Sequence, residues 1–150
     1  MKKCGPDQVL LFHLGHLNKV LYKRANRYFT ASGLPIRVEQ LPVLMILHHK
    51  GRQSQQDLAF ELGRDKASVQ RTVQFLHKHD YIRIEADPHD GRKNMVNLTE
   101  HGCMISARVQ ALIIRIDKIL FSAIAGKEKE KLIGLMDKLT KRIENFKPIG

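Results

Sequence analysis

The chain has 150 residues, which is enough for one domain with a buried core. Its 26 lysines and arginines outnumber its 15 aspartates and glutamates, and the net charge of +11 favours a polyanionic partner, either nucleic acid or an acidic membrane surface. No apolar run approaches the roughly 20 residues of a membrane span, no signal peptide is predicted, and the two cysteines, Cys4 and Cys103, are too few for a disulfide framework. We therefore expect a cytoplasmic protein that does not cross a membrane.

The first part of the chain is predicted to form two helices. Apolar residues recur at helical spacing from Leu10 to Tyr28 and predict a long helix over residues 7–31, which Gly33 and Pro35 end. A second helix carries the stretch "VEQLPVLMILHH". Pro42 is expected to bend its first turn, because proline removes one backbone hydrogen bond.

Two further helices are predicted in the middle of the chain. Ser54 and Asp57 resemble a capping box at the start of a short helix, and Gly63 ends that helix. Asp65 is a favourable N-cap for a longer helix, from Lys66 to about Lys78. The apolar residues of this longer helix share one side. The opposite side is polar and basic, and consists of Lys66, Ser68, Gln70, Arg71, Gln74 and Lys78.

A β-hairpin is predicted next. Ile82, Ile84 and Ala86 share one face of its first strand, and Val96 and Leu98 share one face of its second strand. Because both strands alternate between apolar and polar residues, one side of the hairpin is expected to be buried and the other exposed.

The last third of the chain is predicted to form two more helices. Thr99 caps a long helix whose apolar stripe runs to Ala123, and Gly126 breaks it. The apolar residues of the final helix are expected to face inward; they are Leu132, Leu135, Met136, Leu139, Ile143 and Phe146. The order of the predicted helices and strands indicates a single, mainly α domain with a small β-hairpin. We expect a winged helix-turn-helix core over residues 37–98, with the wing at 82–98, and additional helices at both ends.

The polar side of the Lys66–Lys78 helix is suited to reading DNA. In a helix-turn-helix the second helix lies in the major groove. There, Gln70 and Gln74 can bond to an adenine edge, and Arg71 can bond to a guanine edge. Lys66 and Ser68, near the start of the helix, suit phosphates. A solvated helix face is the alternative, which the short helix before it and the hairpin after it make less favourable.

The tip of the hairpin is unusually charged for a turn. Arg92, with Lys93 beside it, can enter a narrow minor groove, where negative potential is concentrated. Asp90 is expected to orient the guanidinium of Arg92 by a charge-assisted bond. Pro88 stiffens the entry to the tip, and Gly91 allows a positive φ at the turn. A solvent-exposed turn without a partner is the alternative.

The span from Leu34 to Gly102 resembles the multiple antibiotic resistance regulator (MarR) family of bacterial winged-helix repressors. The resemblance lies in "LPIRVEQLPVL", in "SQQDLAFELGRDKASVQRTVQFLHKHDYI", and above all in "ADPHDGRKNMVNLTEHG", which fits the long pattern DPxDxR, a strand, and LTExG. It implies a two-fold symmetric homodimer in which the first and the last two helices, residues 7–31 and 100–147, pack together. Two recognition helices would then lie in successive major grooves of a near-palindromic operator in double-stranded DNA.

The resemblance also implies roles for individual residues. By position, the wing arginine of the family falls on Arg92 and its orienting aspartate on Asp90. The chain departs from the family at Asp80, where Gly is common, at Ile84, where Arg is common, and at Arg37, where Thr often caps the second helix. The recognition-helix positions fall on Lys66, Ala67, Ser68, Gln70, Arg71 and Gln74.

A small-molecule effector is implied by the same resemblance. Members often bind a small aromatic or phenolic acid between the dimer helices and the DNA-reading part. The candidates for this pocket are His16, Tyr22, Arg27 and Tyr28. The tyrosines suit the core or a dimer contact equally well.

Other functional classes are weakly supported by the sequence. The histidines lack nearby cysteines, apart from Cys103 near His101, so no metal and no cofactor is expected. There is no Gly-rich phosphate loop and no nucleophile elbow, so an enzyme is not expected. The alternatives left open are a redox-sensing variant using Cys4, a metal-sensing variant, and a winged helix that contacts another protein instead of specific DNA.

Overall fold

The computed structural model describes residues 5–146 and is mainly helical. The boundary between two compact units falls inside the fifth α-helix, between Leu112 and Ile113. The elements in chain order are α1 (Leu10–Ala31), α2 (Leu41–Lys50), β1 (Gln53–Ser54), α3 (Gln55–Leu62), α4 (Lys66–Lys78), β2 (Ile82–Ala86), β3 (Asn94–Leu98), α5 (Glu100–Leu120) and α6 (Gly126–Glu144). Short 3₁₀ turns at Pro6–Gln8 and Val38–Gln40 precede α1 and α2.

The predicted starts of the first two helices need correction. Helix α1 begins at Leu10, because Val9 is extended and separates it from the turn at Pro6–Gln8. The second helix is likewise divided, and α2 begins at Leu41. Pro42 therefore stands in the first turn of α2, where a backbone N–H has no acceptor within the helix, so the expected bend is unnecessary.

The core of residues 5–112 lies between α2, α3, α4 and the small sheet. Its fully buried side chains come from every one of these elements. They include Val43, Leu44, Leu47, Leu58, Val69, Val73, Leu76, Ile82 and Val96. Helix α4 buries one side in this core and leaves its polar side exposed.

The sheet has three strands, one more than the sequence predicted, because β1 pairs with the second strand of the wing. The antiparallel order is β1-β3-β2, with Ile82 opposite Leu98, Ile84 opposite Val96, and Ser54 opposite Met95. The predicted inward faces of β2 and β3 agree with this register near Ile82, while Ala86 at the outer end is exposed. The short strand β1 ties the start of α3 to the wing.

The predicted helix caps are confirmed. The hydroxyl of Ser54 accepts a bond from the Asp57 amide at 3.0 Å and donates to the Asp57 carboxylate at 2.6 Å. The carboxylate of Asp65 accepts from the Ser68 amide at 2.8 Å, and the Thr99 hydroxyl accepts from the Gly102 amide at 2.9 Å. Each bond satisfies a free N–H of a helix start, which fixes where α3, α4 and α5 begin.

Asp80 ends α4 in a left-handed conformation, with φ of 58°. The Tyr81 amide donates to the Leu76 carbonyl at 2.9 Å, and the Asp80 amide donates to the His77 carbonyl at 3.0 Å. This is the bonding pattern of a Schellman motif, in which glycine is the usual left-handed residue. The departure from the family at this position therefore places an aspartate where the backbone favours glycine.

The pattern LTExG has a structural reason at the start of α5. Thr99 donates through its amide to the Tyr81 carbonyl at 3.1 Å and through its hydroxyl to the Asp80 carbonyl at 2.6 Å. An added Cβ at Gly102 would lie only 1.8 Å from the Tyr81 carbonyl oxygen. Helix α5 thus approaches the entry to β2 so closely that only glycine fits.

Apolar side chains remain exposed on α1 and, separately, on α6. On the first half of α1, Leu11 is 74% exposed, and Leu10, Phe12, Leu14 and Leu17 are also exposed. The prediction that the apolar residues of the last helix face inward is wrong for the single chain, since all six are exposed, with Ile143 at 67%. Among the described residues, no helix is both long enough and apolar enough to span a lipid bilayer.

Candidate nucleic-acid interface

Helix α4 presents a polar surface supported by a buried apolar side. Val69, Thr72, Val73 and Leu76 are buried, and α3, whose Leu58 is buried, packs against α4. The residues predicted to contact DNA lie opposite. Lys66, Ala67, Gln70, Arg71 and Gln74 are exposed, and Ser68 is half-buried. The structure therefore brings these six side chains to one accessible side of a fixed helix.

The tip of the wing is closed by backbone and carboxylate bonds. The Asp87 amide donates to the Lys93 carbonyl, and the Lys93 amide donates to the Asp90 carbonyl, both at 2.9 Å. The Asp87 carboxylate accepts from the His89 amide at 2.8 Å. This bond holds the pKa of Asp87 below the ordinary aspartate value, and a second backbone bond from Asp90 lowers the pKa further.

The expectation that Asp90 orients the Arg92 guanidinium is wrong in detail. The Asp90 carboxylate accepts from the backbone amide of Arg92 at 3.2 Å, and the ion pairs among residues 5–146 include none between their side chains. Gly91 has no positive φ. Since the aspartate side chains turn the backbone through local bonds, the tip needs neither a left-handed glycine nor an Asp90–Arg92 ion pair.

A cleft of about 120 Å³ lies where the start of α4 meets the wing. Lys66, Arg92 and Lys93, all predicted from the sequence, line it together. Its other lining residues are Ser54, Gln55, Gln56 and Asn94. The sequence reading missed Gln55 and Gln56, although their position directly after the Ser54 cap marks them as the first turn of the helix before α4.

A second cavity, of about 510 Å³, flanks α4 on the side of the 3₁₀ turn before α2. Arg71 and Ser68 line it, as does Arg64, which the sequence reading did not single out. The Arg64 guanidinium donates to the Glu39 carbonyl at 3.1 Å. This bond ties the turn between α3 and α4 to the segment that precedes α2.

Of the four predicted effector residues, only Arg27 lines the cavity described beside α1. Arg27 lines a cavity of about 500 Å³, in which Lys23 and Arg37 also take part. The remaining lining residues are Asn26, Thr30 and Ala31. His16 is exposed, and Tyr22 and Tyr28 are half-buried outside this lining.

The cysteines and histidines form no metal-binding group in the part of the chain that the structure describes. Cys103 is exposed near the start of α5, and Cys4 lies outside the described residues. Within residues 5–146, no three His, Cys, Asp or Glu side chains are placed to hold a metal ion. His79 packs instead between aromatic rings, with centroids 4.2 Å from Phe75 and 5.8 Å from Tyr81.

Comparisons with known proteins agree on one family of transcriptional regulators. The model of the MarR family matches residues 32–93. The HTH-type transcriptional repressor NicR of Pseudomonas putida is 25% identical over 134 residues, which are 88% of this chain and 85% of NicR.

Solved structures share the fold over most of the chain. The crystal structure of a probable transcriptional regulator from Pseudomonas aeruginosa has a TM-score of 0.73 and 26% identity, covering 84% of this chain and 96% of that one. Bordetella bronchiseptica BpsR has a TM-score of 0.70 and 24% identity, covering 85% of this chain and 98% of that one. Its structure is described as showing how 6-hydroxynicotinic acid regulates its DNA binding.

Proposed function

Because the chain belongs to the MarR family of winged-helix transcriptional regulators, we propose that it represses transcription by binding a near-palindromic operator as a homodimer. The observation that carries this proposal is the exposed polar side of α4 next to a basic wing tip. A major-groove helix needs polar groups that reach base edges, with cations nearby for the phosphates, and this surface supplies both.

Each of the six α4 residues predicted to contact DNA has a proposed role. Gln70 and Gln74 bond to adenine, Arg71 bonds to guanine, and Ala67 contacts a thymine methyl group. Lys66 contacts phosphate, and so does Ser68 beside it. The buried side of α4 and the Asp65 cap support these roles, because they hold the helix in one orientation.

The wing has a separate proposed role in the minor groove. Arg92 enters the groove, and Lys93 contacts the adjoining backbone. Asp90 contributes by fixing the backbone of Arg92 rather than its guanidinium, given the bond to the Arg92 amide. The guanidinium is therefore free to rotate toward DNA.

Exposed apolar surfaces support the proposed homodimer. Leu10, Leu11 and Phe12 on α1, and separately the apolar residues of α6, are uncovered in the single chain. Soluble proteins seldom leave such surfaces in water, so we assign residues 7–31 and 100–147 to dimerisation. The core over residues 37–98 is the proposed DNA-binding part.

A small aromatic acid is the proposed effector. The cavity beside Arg27 has three cationic side chains on its lining, including Lys23 and Arg37, which suits a carboxylate. The regulation of BpsR by 6-hydroxynicotinic acid supports this chemical class. Induction requires that the effector bind the DNA-incompetent arrangement more tightly, since only differential affinity shifts the equilibrium. Roles for His16, Tyr22 and Tyr28, and a cytoplasmic location, stay predictions.

The proposal is tested by fluorescence anisotropy on tiled fragments from upstream of the protein's own gene, across a salt series. We expect one fragment to bind far more tightly than the others. We also expect Arg92→Ala to weaken that binding by about tenfold or more. Lys50→Ala, which removes one positive charge from an exposed position at the end of α2, is the control and is expected to have little effect.

Uniform weak binding to all fragments calls for selection from random duplexes, because the operator can lie elsewhere. A folded dimer that selects no sequence contradicts the proposal and favours the alternative, a winged helix that contacts another protein. That alternative predicts neither a steep salt dependence nor a specific loss from Arg92→Ala.

A further inference from the structure

Two hydrogen bonds connect α1 to the turn between α3 and α4, and both pass through the 3₁₀ turn at Val38–Gln40. The side-chain Oδ1 of Asn26, on α1, accepts from the Val38 amide at 2.8 Å, and this bond is partly buried. The Glu39 carbonyl accepts from the Arg64 guanidinium at 3.1 Å. Because Val38 and Glu39 are adjacent, one short segment is held both by the helix assigned to dimerisation and by the residues that lead into α4.

The 3₁₀ turn between these two bonds is itself fixed. The Arg37 amide donates to the Gln40 side chain at 2.7 Å, and the Gln40 amide donates to the Arg37 carbonyl at 3.0 Å. The turn also packs against α1, α2 and α4. Since its backbone is closed by its own bonds, a displacement of Val38 moves Glu39 with it, instead of being absorbed within the turn.

Arg64 has a fixed backbone between α3 and α4. Its amide donates to the Ala59 carbonyl at 3.1 Å, which is the bond that closes a helix end after a left-handed residue, here Gly63 with φ of 56°. The next residue, Asp65, caps α4 by accepting from the Ser68 amide. When the guanidinium holds the 3₁₀ turn, the first turn of α4 is therefore held with it.

We propose that Asn26 and Arg64 are positioning residues, which together fix the orientation of α4 relative to α1 without contacting DNA themselves. This inference rests on the proposed DNA-binding function and deepens it. In the proposed homodimer α1 lies at the subunit contact and α4 lies in the major groove, so the two bonds set the spacing of the two copies of α4. Both copies have to enter successive grooves at once, and a loosely held α4 has to be ordered on binding, which lowers the affinity.

The environment of Arg64 differs from that of the cations proposed to contact DNA. Lys66 and Arg71 are exposed, whereas Arg64 is half-buried and its guanidinium is bonded to a backbone carbonyl. A guanidinium that left this carbonyl for a phosphate would release the 3₁₀ turn. Asn26 lies on α1, outside the residues 37–98 proposed to bind DNA, so its effect on DNA binding is indirect.

The first of the two bonds borders the cavity proposed for the effector. Asn26 lines that cavity together with Arg27 and Arg37. An occupant held by these two arginines would contact the side-chain amide whose oxygen holds Val38. The two bonds therefore begin where the effector is proposed to bind and end at the helix whose position it has to change.

The test is a double-mutant cycle read by anisotropy, on the upstream fragment or selected sequence that the wild type binds best. Arg64→Met keeps the length of the side chain and removes its donors, and Asn26→Ala removes the acceptor of the Val38 amide. We expect each variant to lose about fivefold in affinity, and the double variant to lose about fivefold rather than about 25-fold, because one broken bond already releases the 3₁₀ turn. Arg64→Met should leave the slope of log K against log salt unchanged, whereas loss of a phosphate contact lowers that slope by about 1.

Two controls accompany the cycle. Asn26→Asp keeps an oxygen that accepts from the Val38 amide and should stay within about twofold of the wild type, which separates loss of this bond from general damage to α1. Lys50→Ala removes an exposed cation at the end of α2 and should add nothing to the loss caused by Asn26→Ala.

Selective DNA binding by the wild type, combined with a loss of about 25-fold in the double variant, overturns this inference alone. An unchanged affinity in either single variant does the same, and so does a lower salt slope for Arg64→Met or a full loss for Asn26→Asp. A wild type that binds its best duplex no better than a random one overturns the proposed function, and this inference with it.

Discussion

Replacing Gly102 by alanine is expected to destabilise the fold, although alanine is the better helix former. Gly102 is the third residue of α5, and an ideal Cβ there lies 1.8 Å from the Tyr81 carbonyl oxygen and 2.8 Å from its carbon. Both atoms belong to the backbone, so no flexible side chain can move out of the way. Helix α5 and the entry to β2 have to separate by more than 1 Å for the methyl group to reach ordinary contact distance.

The size of the effect follows from three contributions. The glycine-to-alanine change favours the helix by about 1 kcal/mol. Separation breaks the bond from the Thr99 amide to the Tyr81 carbonyl, now 3.1 Å, which costs about 1 kcal/mol. Overpacking a filled site adds about 1–3 kcal/mol. The net loss is about 1–3 kcal/mol, and in a chain of this length each kcal/mol lowers the melting temperature by about 2–4 °C.

The assay is thermal unfolding followed by circular dichroism, at one protein concentration because dimerisation makes melting concentration-dependent. Gly134→Ala is the control, since no atom lies within 4 Å of its added Cβ in α6, and it should raise the melting temperature. If Gly102→Ala melts at or above the wild-type temperature, the close approach of α5 to Tyr81 is not the reason for glycine at this position.

Two further predictions concern single aspartates. Asp80→Gly should raise the free energy of unfolding by about 1 kcal/mol, because φ is 58° at this position. Asp137→Gly, at an exposed helical site, should lower that free energy, and denaturant titrations that show the same sign for both variants would contradict this reasoning. The pKa of Asp87 should lie below that of an unstructured peptide, because the His89 amide donates to its carboxylate. Its stabilisation of the wing tip is then complete above the unfolded pKa and is lost as the pH falls through the lowered pKa, which a carboxyl-carbon NMR titration measures directly.

The helix boundaries in the middle of the chain were predictable because their causes are local. Ser54, Asp65 and Thr99 each cap a helix through an amide three residues later, so the signal is complete within four residues of sequence. The polar side of α4 was predictable for a similar reason, since helical spacing alone separates it from the buried side.

Features that depend on distant parts of the chain were missed or misjudged. Strand β1 has only two residues and exists because Ser54 pairs with Met95, about forty positions later. The expected bond from the Arg92 guanidinium to Asp90 is replaced by a bond from the Arg92 backbone amide, because backbone amides compete for the aspartate side chains at the tip. The exposure of α6 was also not predictable, since an apolar stripe does not reveal whether the residues that bury it belong to the same chain or to a partner.

The candidate site was predictable residue by residue but not as a cavity. Lys66, Arg92 and Lys93 were each identified from their own element, yet their common cleft depends on how α4 and the wing are held. Gln55 and Gln56 were missed because their role arises only from that arrangement.

The double role of Ser54 limits how the length of the chain can vary around the wing. One residue inserted or deleted between Gln53 and Asp57 would shift either the pairing with β3 or the cap on α3, because both depend on the position of Ser54. Relatives that differ in length should therefore keep the spacing from Gln53 to Asp57 constant.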